Sequence, residues 1–214
     1  DLEPGSYQVV VSRGDEYSVH KELITTVAGS TTNVSAQIAR VLDTAGFISS
    51  DYHVHQVNSP DSRVALGTRA ISFAAEGVEN LVATDHDAIT DMTPAIAARG
   101  LSAFLSSTIG EEVTTFDYGH FNSYPQGEDP TRVSNGATDW GGAAPAGLDF
   151  PAYGNHPLTP AQIEAAVLAK PQNAGLETVV QINHIGSHFN PLRIDTGVEP
   201  PQSFLPDPSV FRLD

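Results

Sequence analysis

Cysteine is absent from this chain of 214 residues. Its absence excludes disulfide bonds, thiolate catalysis and a structural zinc site with cysteine ligands. Basic residues are also scarce, because 10 Lys and Arg stand against 26 Asp and Glu and leave a net charge of −16. That charge disfavours nucleic acid or an anionic membrane surface as a partner. No stretch approaches the roughly 20 consecutive apolar residues of a membrane-spanning helix, so the sequence predicts no membrane span.

The first part of the chain, residues 1–46, has the pattern of a small β-rich segment. Residues 7–11 are rich in β-branched side chains and follow a turn-like Pro-Gly, and residues 17–27 form a second predicted strand. Residues 34–38 alternate apolar and polar side chains, which predicts a third strand. We expect this segment to carry no chemistry.

The remainder, residues 47–214, alternates predicted strands with predicted helices, which indicates an α/β domain. The predicted strands and extended segments cover residues 47–55, 78–84, 103–116, 121–124 and 177–183. Helical periodicity or helix-start signals mark residues 63–76, 93–98 and 159–169. Residues 125–157 are rich in Gly, Pro, Asn and Asp, so we predict a long, loosely packed loop near a site.

Histidines and acidic residues collect where the predicted strands end. His53 and His55 are two apart on one strand, so their imidazoles face the same side. Two neutral imidazoles at this spacing suit a transition-metal ion, although a pair of exposed histidines is the alternative. Asp85 and His86 end the next strand, where the carboxylate can orient the imidazole or simply belong to a polar turn.

Three more motifs follow in order along the chain. The adjacent Glu111 and Glu112 offer a carboxylate that can bridge two ions, and His120 and His184 each lie at a later strand end. Each histidine alone is more often structural than a ligand, but five such motifs in order predict one metal centre. We interpret the other histidines of the appendage and the loop, His20 and His156, as non-ligands.

The order H-x-H, T-D-H, G-x-E, G-H and N-H resembles the PHP domain (polymerase and histidinol phosphatase), and in particular its carbaryl-hydrolase-like branch. The resemblance implies a partial, distorted (β/α)7 barrel over residues 47–214. It also implies that residues 1–46 are the tail of a carboxypeptidase-regulatory-like β-sandwich. Up to three divalent ions (Zn, Mn or Fe) occur in that family, and fewer are expected here. The implied metal ligands are His53, His55, Asp61, His86, Glu112, His120 and His184.

Within this resemblance Glu112 matches the bridging glutamate, and Glu111 is the alternative in a shifted register. Glu112 and Asp85 are the predicted catalytic residues. Arg63, near the motifs, and His188, four residues after His184, are candidate substrate-binding residues.

The chain departs from the family pattern at its C-terminal end. The family ends with an Asp-x-His on a late strand, and no such spacing occurs after His184. We therefore expect the domain to lack its last strands. A C-terminal portion or a second chain would then complete the barrel.

The expected activity is hydrolysis, by a metal-activated water, of an ester, carbamate, amide or phosphoester bond in a small-molecule substrate. Few basic residues lie near the motifs, which favours an ester or amide over a phosphate ester. A phosphoesterase of the same superfamily and a degenerate metal-binding module without turnover are the alternatives. The regulatory-like β segment, the absence of cysteine and the lack of an initiator Met favour an exported or periplasmic location over the cytoplasm.

Overall fold

The computed structural model describes residues 2–115, 118–141 and 158–184. In these ranges β1 (Gly5–Val11) and β2 (His20–Thr26) form an antiparallel pair. A parallel sheet contains β3 (Ser50–Val54), β4 (Asn80–Ala83) and β5 (Ser106–Ile109). An antiparallel sheet contains β6 (Glu111–Thr114), β7 (His120–Tyr124) and β8 (Val179–Ile182). The helices are α1 (Leu66–Ala75), α2 (Thr93–Ala98) and α3 (Pro160–Leu168).

The N-terminal hairpin of β1 and β2 confirms two of the three strands predicted for residues 1–46. The third predicted strand is wrong, because residues 34–38 form no strand and only a single bridge joins Arg40 to Tyr17. Val34 is 37% exposed, so the alternation of residue types in this stretch has no core against which to bury an apolar face.

The parallel sheet is built by two helical crossovers, with α1 between β3 and β4 and α2 between β4 and β5. The central strand β4 is fully buried along Leu81, Val82 and Ala83. Helix α1 packs its buried face, Ala70 and Ala74, into the same core. The helix periodicity therefore turns its apolar side onto the sheet, which fixes the carboxyl ends of β3 and β4 side by side.

The two sheets of the α/β part meet at Gly110, the one residue between β5 and β6. A Cβ at this position would lie 2.7 Å from the Ser123 carbonyl oxygen and 3.0 Å from that of Ala83, so only glycine allows the two backbones this close. A single parallel bridge between His86 and Glu112 then joins β6 to the end of β4. The seam between the sheets thus brings late and early parts of the chain together.

The predicted partial (β/α)7 barrel is wrong. Such a barrel needs parallel strands, each followed by a helix. Here β6 begins directly after Gly110 without a helix, and it pairs antiparallel with β7, which in turn pairs antiparallel with β8. Within the described ranges the chain forms three small sheets, two antiparallel and one parallel, and no closed barrel.

Several predicted features lie outside the described residues. These are His156, His188 and the part of the predicted loop that covers residues 142–157. The described part of that loop, residues 125–141, is irregular apart from the short 3-10 helix Val133–Gly136. None of the helices in the described ranges is long and apolar enough to cross a membrane.

Candidate metal centre

The carboxylate of Glu112 lies at the middle of the candidate site. Strand β6 carries it into the seam between the two sheets, where its side chain is 0% exposed. Imidazole nitrogens surround both of its oxygens. They belong to His53, His55, His86, His120 and His184. We call Glu112 with these five histidines the Glu112 centre.

Three of the imidazoles face the oxygen Oε2 of Glu112. The distances are 3.2 Å to His53 Nε2, 3.3 Å to His55 Nε2 and 3.1 Å to His86 Nδ1. His53 lies on β3 and His55 immediately follows it, and their rings are 4.9 Å apart, because residues two apart on an extended chain share a face. His86 lies in the segment that follows the neighbouring strand β4, just past its carboxyl end.

The other oxygen, Oε1 of Glu112, faces the antiparallel sheet. His120 Nδ1 and His184 Nε2 each lie 3.2 Å from it. The Asn183 side chain donates to the same oxygen at 2.9 Å and to Asn122 at 2.7 Å. Because β7 and β8 are paired neighbours, a histidine at the start of one and another just past the end of the other meet at one edge.

These side chains are placed closely enough to hold a metal ion. Three groups qualify, with all ligand atoms within 4.8 Å of one another: His53/His55/Glu112, His55/Asp61/His86 and His86/Glu112/His120. Metal bonds of about 2.0–2.1 Å at angles between tetrahedral and octahedral separate two ligand atoms by roughly 2.9–3.4 Å, which matches the 3.1–3.3 Å found around Glu112. A carboxylate oxygen has about two lone-pair sites, so three nitrogens around Oε2 are more than its hydrogen-bonding capacity, and the arrangement favours an ion held by His53, His55 and Glu112.

The electrostatics of the site favour an ionised Glu112. Burial alone would raise the pKa of this carboxyl, but hydrogen bonds from His120, His53 and Asn183 outweigh it and hold the pKa far below its usual range. The hydrogen bond to Glu112 raises the pKa of His53, whereas burial lowers the pKa of His55. The centre therefore attracts positive charge, which a divalent ion would supply while displacing any proton from its ligands.

A second carboxylate, Asp61, lies at the outer rim of the centre, with 55% of its side chain exposed. Its oxygens are 3.5 Å from His86 Nε2 and 3.9 Å from His55 Nδ1. Burial opposes ionisation of Asp61, but the Ser59 hydroxyl and the two imidazoles outweigh it and lower its pKa. Of the three groups given above, the one that contains Asp61 is the one without Glu112.

Two hydroxyls determine which nitrogen of His55 and His86 carries a proton. Ser59 donates to Asp61 at 2.6 Å and accepts from His55 Nδ1 at 3.2 Å, which leaves the Nε2 lone pair of His55 directed at Glu112. Thr114 donates to the backbone carbonyl of Glu112 at 3.0 Å and accepts from His86 Nδ1 at 2.5 Å. The Nε2 lone pair of His86 therefore points to Asp61.

The predicted catalytic residue Asp85 is fully buried behind this centre. Its carboxylate accepts from the backbone N–H of Gln56 at 2.5 Å and from the Thr90 hydroxyl at 2.5 Å. It thus ties the segment after β3 to the segment after β4, and burial raises its pKa. A catalytic role for Asp85 stays a prediction.

The adjacent acid, Glu111, faces the opposite side of β6, because successive strand residues alternate. It pairs with Lys170 at 2.7 Å and accepts from the backbone of Thr138 at 2.8 Å, and both acid and lysine are buried. Sequence reasoning missed Lys170, because a lysine that folds inward has the same sequence signature as a surface lysine. The register with Glu112 toward the histidines is the one that the structure has.

A cavity of about 460 Å³ opens beside the centre. Its lining residues are Pro60, Asp61, His86, Asp87, Thr114, Thr115, His120 and Trp140. The Trp140 indole donates to Asp87 at 2.9 Å, and the backbone of Thr114 donates to the same oxygen at 3.0 Å. Burial raises the pKa of Asp87 to about 6. Sequence reasoning assigned no role to Asp87 and missed Trp140, although the single tryptophan in a Gly-rich stretch was a usable signal.

The two predicted substrate-binding residues are not placed at this cavity by the described structure. Arg63 is exposed and is not among the residues that line it. His188 lies outside the described residues.

Comparison with known proteins gives no family assignment. No family model matches the chain, and no curated protein sequence matches it. The resemblance to the PHP domain therefore stays a prediction, and a function has to be inferred from the site itself.

Proposed function

We propose that this chain is a metal-dependent hydrolase with two divalent ions bridged by Glu112. The observation that carries the proposal is one fully buried carboxylate with imidazoles against both oxygens. His53 and His55 would hold the first ion, and His120 and His184 the second. The order of these ligands along the chain resembles that of PHP-domain hydrolases, and the proposal rests on the ligands rather than on a barrel.

The donor set narrows the choice of ion. Imidazoles with one carboxylate suit Zn²⁺, Mn²⁺ or Fe, whereas Mg²⁺ and Ca²⁺ prefer sites made of oxygen. Ions in such a site supply Lewis acidity, which activates a water molecule and stabilises negative charge on a substrate oxygen.

The chain's own residues orient these ligands. Asn183 fixes one oxygen of Glu112 by its hydrogen bond at 2.9 Å, and Asn122 in turn fixes Asn183. Ser59 holds the His55 ring with its Nε2 toward Glu112. Partners of this kind preorganise metal ligands and commonly contribute 10–100-fold to affinity or activity.

The cavity next to the ligands supports an uncharged ester, carbamate or amide as the substrate. Asp61 and Asp87 line it, and neither Lys nor Arg is among its described lining residues. Phosphate monoesters are recognised best by Arg or Lys, and two carboxylates repel them. Trp140 and Pro60 supply apolar surface for the neutral part of a substrate.

The proposal is tested by counting metal and measuring turnover on the same preparation. Metal per chain is measured by inductively coupled plasma mass spectrometry before chelation and after reconstitution with Zn²⁺ or Mn²⁺. Hydrolysis is followed with p-nitrophenyl acetate and p-nitrophenyl phosphate. We expect bound metal and chelator-sensitive turnover of the acetate ester. Faster turnover of the phosphate would indicate a phosphoesterase. Bound metal without turnover would indicate a binding module. A protein that binds no metal would refute the proposal.

Histidine variants test the assignment of ligands. His184→Ala should remove more metal than His86→Ala, because the nitrogen of His86 that faces Glu112 donates to Thr114 and its other nitrogen faces Asp61, whereas His184 Nε2 faces Glu112. His20→Ala is the matched control, since His20 lies on the N-terminal hairpin. If His86→Ala loses the most metal, the assignment is wrong.

A further inference from the structure

The metal-binding groups differ sharply in their access to solvent. The side chain of Glu112 is 0% exposed and those of His86 and His120 are 13% and 11% exposed, whereas that of Asp61 is 55% exposed. An ion that approaches from solvent on this side meets the carboxylate of Asp61 before it reaches Glu112. Asp61 also lines the cavity that reaches His86 and His120, so the cavity offers a path inward.

The ring of His86 stands between the two carboxylates. Its Nδ1 lies 3.1 Å from Glu112, and its Nε2 lies 3.5 Å from Asp61. A neutral imidazole has one nitrogen lone pair for an ion, and the other nitrogen carries a proton. The hydrogen bond from Nδ1 to Thr114 leaves that lone pair toward Asp61. His86 can therefore serve the outer carboxylate or the inner one, but not both at once.

His55 is subject to the same restriction. Its Nδ1 donates to Ser59 at 3.2 Å, and its Nε2 faces Glu112 at 3.3 Å. While that hydrogen bond is kept, His55 is a ligand only for the inner ion. Of the described histidines, His86 is then the one that can share an ion with Asp61, and two protein ligands are fewer than the three or four of a stable site.

From these observations we propose that Asp61 and His86 form an outer capture site, which holds an arriving ion transiently and passes it to the Glu112 centre. An ion occupies the capture site only while the protein is being loaded, so the fully loaded protein contains two ions and none at Asp61. The inference rests on the metal centre of the proposed function but not on the hydrolytic reaction. The carboxylate of Asp61 lies exposed at the rim of the centre, and negative charge at the mouth of a cleft raises the association rate of cations.

The test measures the rate of metal uptake separately from the amount bound. Protein freed of metal by a chelator is mixed with Zn²⁺ in a stopped-flow instrument. Binding is followed by the fluorescence of Trp140, the single tryptophan, which lines the same cavity as His86 and His120. Competition with a zinc-indicator dye gives the same rate independently of the indole.

The decisive variant is Asp61→Asn, which keeps the size of an exposed side chain and removes its charge. We expect its uptake rate to fall about tenfold, the lower end of electrostatic steering effects, while the metal count at equilibrium stays at two per chain. Asp43→Asn is the matched control, because it removes one exposed carboxylate from the N-terminal segment and should leave the rate unchanged.

Three results would overturn the inference. They are an unchanged uptake rate in Asp61→Asn, the loss of one bound ion in that variant, and a count of three ions in the unaltered protein. The second and third would make Asp61 a permanent ligand. Circular dichroism of each variant verifies folding. Failure of the proposed function is separate, because a protein that binds two ions without hydrolysing an ester would still load through Asp61.

Discussion

Each face of β6 buries a carboxylate, and the two carboxylates are compensated by different kinds of group. Glu111 and Glu112 are adjacent, and both are fully buried. On one face Lys170 contacts Glu111 at 2.7 Å, so the protein provides the compensating cation itself. On the other face Glu112 is surrounded by imidazoles, which carry no permanent charge.

The difference lies in what compensates the negative charge of each acid. A buried carboxylate without a partner is costly, so each of the two needs positive charge nearby. Lys170 compensates Glu111 at all times, so Glu111 needs no ion from solution. The histidines compensate Glu112 only when they bind a proton or an ion, which makes Glu112 dependent on what the centre takes up from solution.

The largest expected effect comes from neutralising each acid in turn. Glu112→Gln should remove most of the bound metal and lower ester hydrolysis more than about 100-fold, beyond the 10–100-fold typical of residues that only orient ligands. Glu111→Gln makes the identical chemical change one residue away and should keep the metal. Metal analysis and initial rates on both variants verify this. Equal metal loss in the two would erase the contrast between the faces.

A smaller effect is expected from breaking the structural pair. Lys170→Met should lower the free energy of unfolding by about 3–5 kcal/mol, because it leaves the buried charge of Glu111 uncompensated. The double variant Glu111→Gln/Lys170→Met should recover much of this loss, because no unpaired charge remains. Urea denaturation of the single and double variants measures both values. If Lys170→Met also binds less metal at urea concentrations below its unfolding transition, the two faces of β6 are coupled.

The smallest effect concerns Asp87, which supports the Trp140 wall of the cavity. Burial raises the pKa of Asp87 from the ordinary range of an aspartate to about 6. The folded protein therefore holds the proton more tightly, so this contribution to stability is complete below pH ~4 and is lost as the pH rises through ~6. The loss amounts to at most about 3 kcal/mol, two pKa units at roughly 1.4 kcal/mol each.

Asp87→Asn is the matched variant, because its amide oxygen can still accept from Trp140 and Thr114. In metal-free protein its stability should lack the fall between pH 4 and pH 6 that the unaltered chain shows, by urea denaturation at each pH. Parallel curves for the two proteins would mean that Asp87 does not titrate in this range.

Local structure was largely predictable from the sequence. The strand period placed His53 and His55 on one face, and it required Glu111 and Glu112 to face opposite sides. Thr159 and Pro160 marked the start of α3, which begins at Pro160 with a capping box between Thr159 and Gln162. These features depend on residues that are only a few positions apart in the sequence, so the local pattern of residue types predicts them.

The arrangement of the strands was not predictable in the same way. The alternation of strands and helices indicated an α/β domain and the resemblance to the PHP domain implied a barrel, but β6, β7 and β8 pair antiparallel. Gly110 lets the chain pass from one sheet to the other, and its neighbours Ser123 and Ala83 come from distant parts of the chain. The residues 34–38 likewise have the pattern of a strand but no partner to pair with.

The sequence by itself determined which nitrogen and oxygen donors are present, and which of them share a face of a strand. Tertiary structure alone decided that His184 meets Glu112 across 72 residues and that Lys170 meets Glu111 across 59. It also decided that Asp61 stays at the rim. The physical reason is that burial and charge compensation depend on which segments pack together, and residue type and spacing do not specify that packing.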